Sequence, residues 1–164
     1  MSQTSRKARP LTRPEYLALA EFRYQLRRYL RYMEEQARAG GHHPQQYQLL
    51  LAIKGLPGPR KPTISALAER MQMNHNSMVE LVDRCEKRDL ICRSRSGDDR
   101  RQVTLAITPA GEMVLRQQAR VSREELLIIG PSLLNSLHRL MKENRLRAAG
   151  RKPSGPKKSG SAGA

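Results

Sequence analysis

The chain has 164 residues, 31 Lys+Arg against 15 Asp+Glu, a formal net charge of +16 and a pI near 10.9. That length fits one domain with or without an extension, and the charge points to an anionic polymer or surface, most often nucleic acid. Trp is absent and Phe occurs once, so stacking on unpaired bases is poorly supplied and duplex targets are favoured over single strands.

No apolar run is long enough to span a bilayer and no hydrophobic segment lies near Met1, so neither a membrane span nor a secretory signal is expected and the expected location is cytoplasmic. Cys85 and Cys92 match no zinc spacing and read as a reduced pair. His42, His43, His75 and His138 form no i, i+4 pair and have no carboxylate cluster beside them, so no metal is expected.

Residues 1–14 are polar, with Arg6, Lys7, Arg9 and Arg13 and two prolines, and read as a flexible basic arm. Residues 15–39 turn helical: Phe22, Leu26, Tyr29, Leu30 and Met33 line one stripe, and Gly40-Gly41 ends it. Pro44 opens the next helix, with Tyr47, Leu50 and Leu51 as its buried side. Residues 55–62 are a loop by composition. Thr63 then caps a helix in which Ile64, Leu67, Ala68 and Met71 share one face. After a break at Gln72-Met73, Asn74 is a second N-cap and Met78, Leu81, Val82 and Cys85 repeat the spacing. Two short helices joined by a tight turn, the second polar at its N-terminal end, predict a helix-turn-helix. Residues 90–95 and 102–107 have strand length, the second alternating Val103, Leu105 and Ile107, and the turn between them carries Arg100 and Arg101. The series is therefore a winged helix: mostly α with a small β-hairpin wing. Thr108-Pro109 starts another helix bearing Met113, Val114, Val121 and Leu126. Gly130-Pro131 is expected to break the chain before a final amphipathic helix with Leu133, Leu137, Leu140 and Met141. Residues 148–164 are Gly/Ser/Pro/Lys low complexity, a disordered basic tail.

TISALAERM, MVELVDRCEKRDLI and, above all, AspArgArg followed by ThrLeuAlaIleThrProAlaGly carry a resemblance to the multiple-antibiotic-resistance-regulator (MarR) family of transcription factors. Helix order and spacing extend it from about Tyr16 to Leu146. The resemblance implies a domain over 15–147. Its DNA-binding lobe would lie at about 44–108, and dimerisation helices at about 15–39 and 109–147. An intrachain core would give those helices the same apolar stripes.

The N-terminal turn of the second motif helix is the candidate major-groove reader. Asn74 is occupied in capping, which leaves His75, Asn76, Ser77, Val79 and Glu80 near base edges or phosphates, with Arg84 further along. Glu80 stands where the family would have a basic or small polar residue. The resemblance assigns Asp99-Arg100-Arg101 to the wing motif. Arg101 would enter the minor groove, held by Asp99, and Arg93, Arg95 and Arg100 would contact phosphates. The plain alternatives are a solvated helix face and an ordinary charged hairpin.

A nucleophile–base–orienter set, a Gly-rich phosphate loop and paired catalytic carboxylates are all missing, and no cofactor is expected. The expected function is sequence-specific binding of double-stranded DNA as a homodimeric regulator, most often a repressor. The rivals are a sequence-tolerant architectural DNA coater and, more distantly, a protein-interaction module. The resemblance adds possible release by a small anionic aromatic effector, with Tyr24, Arg28, His43, Tyr47 and Met71 as candidate contacts. Some relatives sense oxidants through a cysteine on the first helix, which has none here.

Overall fold

The computed structural model describes residues 10–95 and 103–149. Five helices and one hairpin follow in order: α1 Arg13–Ala39, α2 Pro44–Lys54, α3 Ile64–Arg70, α4 His75–Lys87, β1 Ile91–Arg95, β2 Val103–Ile107 and α5 Pro109–Ala149. Packing divides them into two units. One comprises Arg27–Ile129; the described residues up to Leu26 and from Gly130 onward form the other.

The unit of Arg27–Ile129 holds the main core. Leu49, Leu50, Leu67, Met78, Leu81, Val82 and Cys85 are fully buried, joined by Ile91, Leu105 and Leu115, with Tyr29 and Ile107 against them. The helical spacing of these residues places one stripe of each helix inward. α3 has only seven residues, too few to persist alone, and depends on burying Leu67 and Ala68. The strands pair antiparallel with Arg93 opposite Leu105, and Leu105 also donates from its N–H to the carbonyl of Pro62 at 2.9 Å. That bond ties the hairpin to the loop before α3.

Three helix ends share one solution. α1 ends on Gly41 at φ 75°, where His42 N–H bonds the carbonyl of Ala37 and Gly41 N–H that of Arg38. α3 and α4 close with the same pair of bonds around Gln72 (φ 53°) and Asp89 (φ 54°), left-handed positions filled without glycine. Each reversal sends the chain into the next element within a residue or two.

Three sequence expectations are corrected. Leu51, expected on the buried side of α2, is exposed, and Leu49 is buried beside Leu50. α1 starts at Arg13, because the Glu15 carboxylate accepts from the Thr12 N–H at 2.7 Å and closes the first turn. The break at Gly130-Pro131 does not occur: α5 is one helix of 41 residues with Pro131 inside it. A proline removes one helical hydrogen bond and crowds the carbonyl four residues back, which bends or costs a helix without always ending it. Here Gly130 keeps a right-handed backbone, and the division between the two units falls at this point instead.

Candidate nucleic-acid interface

The side chain of Asn74 accepts from Ser77 N–H at 2.8 Å, so the start of α4 is capped from within and its first turn is fixed. Met78, Leu81, Val82 and Cys85 turn into the core, which aims the opposite face outward. His75, Asn76, Glu80 and Arg84 are exposed, and Ser77 and Val79 are half-buried at the edge. These six expected reading residues therefore form one surface. Burial pushes the Cys85 thiol up to about 11, as suits a neutral core group, whereas Cys92 on β1 is exposed.

Arg93 is not a free cation awaiting a phosphate. Its guanidinium bonds the Asp83 carboxylate at 2.5 Å and the Glu86 carboxylate on the other side, and its backbone N–H bonds Glu86 Oε1 at 3.2 Å. The bond to Asp83 raises its pKa further, against an opposing effect of burial. Sequence reasoning missed this clamp, although two acids three residues apart on the polar face of a reading helix, in a chain of +16, were a signal for an internal partner. Arg88 is a second missed residue. It reaches from the end of α4 to Gln46 Oε1 at 3.0 Å and the Gly41 carbonyl at 2.8 Å. Asp99, Arg100, Arg101 and the Arg95 side chain lie outside the described residues.

The candidate effector residues differ in their surroundings. His43 caps α2, its Nδ1 accepting from Gln45 N–H at 3.4 Å. Tyr47 is buried in the core, with its pKa raised by that burial. Arg28 pairs with Glu125 at 3.8 Å, and Tyr24 is exposed in the other unit. Met71 lines an open cleft of about 490 Å3 with Gln48, Leu51, Ala52, Gly55 and Arg70. Among the described residues, no three His, Cys, Asp or Glu side chains stand together as a metal site, and no helix is long and apolar enough to cross a membrane.

Residues 41–102, which run from just after α1 through α4 and into the hairpin, match the family model described as MarR family. Over these residues the chain is similar to the MarR family. A Thauera aromatica protein, named for transcriptional regulation of an hcr operon, is 36% identical to this chain over 86 residues. The match takes in 52% of this chain and 50% of the relative, so the chain spans about half the length of that curated protein. The MarR regulator AbsC of Streptomyces coelicolor has a similar fold, with a TM-score of 0.64 at 20% identity over 88% of this chain and all of AbsC. MepR of Staphylococcus aureus, solved as a DNA complex, gives 0.60 at 16% identity over 78% of this chain and 91% of its own. At these identities the likeness is one of fold: a MarR-type winged helix with helical extensions.

Proposed function

We propose that this chain is a transcriptional regulator that binds double-stranded DNA in a sequence-specific manner as a homodimer, most often to repress, in the cytoplasm. The observation that carries the reading is the outward face of α4, which presents His75, Asn76, Glu80 and Arg84 from a capped first turn beside a hairpin clamped to the same helix. Asn can bond adenine N6 and N7, and Glu can accept from cytosine N4. In this reading Asp99 poses Arg101 in the minor groove, and Arg95 and Arg100 meet phosphates. The relative's name and the DNA complex of MepR support the same reading. The exposed Leu126, Leu127, Ile128, Leu134 and Met141 of α5 support a partner copy. A small anionic aromatic remains the candidate effector, and it must favour the state that fits DNA less well, since equal affinity shifts nothing.

Selection of bound duplexes from a random pool tests the reading. It should yield an inverted repeat with half-sites about one helical turn, or a multiple of it, apart. On that repeat Arg101→Ala should cost on the order of 1–3 kcal/mol and relax the A·T preference at the wing position, while Lys152→Ala changes little. Equal losses from both would leave bulk charge as the only determinant, which is the architectural alternative that the +16 charge favours.

A further inference from the structure

We propose that Arg93 is a positioning residue that locks the wing hairpin to the reading helix and so sets operator preference, rather than a phosphate contact; this rests on the DNA-binding reading above. Arg93 sits at the middle of β1, opposite the buried Leu105 of β2. The hairpin is thus held to the core at this position by Leu105 and to α4 by Arg93. The two carboxylates that receive the guanidinium, Asp83 and Glu86, lie three residues apart and therefore on one side of α4. A planar fork can hold both at once, which a lysine ammonium cannot do with the same geometry. The backbone bond from Arg93 to Glu86 adds a third tie at the same place.

Charge gives a second argument. Without Arg93, α4 would turn Asp83 and Glu86 toward the same solvent that a DNA backbone must occupy. With it, the trio carries a single net negative charge instead of two. An arginine that left these acids for a phosphate would gain one favourable contact and expose two repulsive ones. Holding the hairpin against the helix that reads bases is the use of Arg93 that satisfies all three groups.

The test uses the full chain and the duplex selected from the random pool, with a scrambled duplex for comparison and thermal unfolding measured in parallel. Arg93→Lys keeps the charge but breaks the fork. It should reduce the preference for the selected duplex about tenfold, with the log–log salt slope unchanged. Asp83→Asn should lower that preference too, while tightening binding to the scrambled duplex because an acid has been removed. Amide exchange in β1 and β2 of the free protein should quicken in both variants. The proposal is overturned if Arg93→Lys matches wild type while Arg93→Ala weakens both duplexes alike and lowers the salt slope by about one per protomer, as a phosphate contact would. It is also overturned if the preference stays constant while only the folded fraction falls. A wild-type chain that selects no duplex at all defeats the DNA reading itself, whereas the exchange rates still report whether the clamp exists.

Discussion

Gly111 shows how one missing carbon shapes the joint between wing and last helix. A Cβ there would stand 2.0 Å from the Leu90 carbonyl oxygen and 2.8 Å from Ile107 Cγ2. Alanine is better than glycine inside a helix by about 1 kcal/mol, but forcing a methyl into a filled space costs about 1–3 kcal/mol or more. The clash wins, so Gly111→Ala should lower the unfolding free energy by at least about 1 kcal/mol in urea titration. Thr108 reinforces the same joint, bonding the Asp89 carbonyl at 2.5 Å and accepting from Gly111 N–H at 3.0 Å. Cys85 gives a pH signature. Its folded pKa is raised, to about 11 from an ordinary 9, so the stability of the buried neutral thiol is complete below pH 9 and drains away as pH rises to 11. The loss should be at most on the order of 2 kcal/mol. Cys85→Ala should be less stable at neutral pH yet flatter in that window, as measured by denaturant unfolding at several pH values. The Asn74 cap and the inward run from Met78 to Cys85 were legible because one polar residue and one period each carry a direct mechanism. The left-handed turns at Gln72 and Asp89 were not, because neither residue announces a positive φ as glycine does.

Among the elements, α4 and the hairpin were predicted within a residue or two, since their apolar periods, 3.6 and 2, differ so sharply. α5 was misread at Gly130-Pro131, where two helix-breaking residue types stand together and only the packing around them decides. The long helix carries its proline at the cost of one backbone bond to the Leu127 carbonyl. Pro131→Ala should therefore stabilise the unit that contains it, by up to about 3 kcal/mol in thermal or urea unfolding. A loss of stability would mean that the shape imposed by the proline is needed for packing. The links between α1 and α5 inside Arg27–Ile129 were invisible beforehand. Tyr29 bonds Ser122 at 2.5 Å and Arg28 faces Glu125, pairs 93 and 97 residues apart that no local pattern encodes. Arg28 is thereby engaged within the fold.

For the molecule as a whole, the charge and the resemblance pointed to duplex DNA, and the exposed apolar residues of α1 and α5 are what a second copy would cover in the proposed homodimer. Leu17 and Leu134 in one unit, and Leu127 and Ile128 in the other, are each about 60% exposed or more in the single chain. Net charge alone cannot separate a regulator from an architectural protein, because phosphate contacts strengthen both. Base reading can, because it rewards one sequence over others. Salt dependence supplies the background: a dimer that neutralises several phosphates should show a log–log slope of roughly −5 or steeper. The most direct test is the ratio of affinities for the selected duplex and a scrambled one of equal length, by fluorescence anisotropy at one fixed salt concentration. A regulator that reads bases through α4 and the wing predicts a preference of at least about a thousandfold; a ratio near one would contradict it.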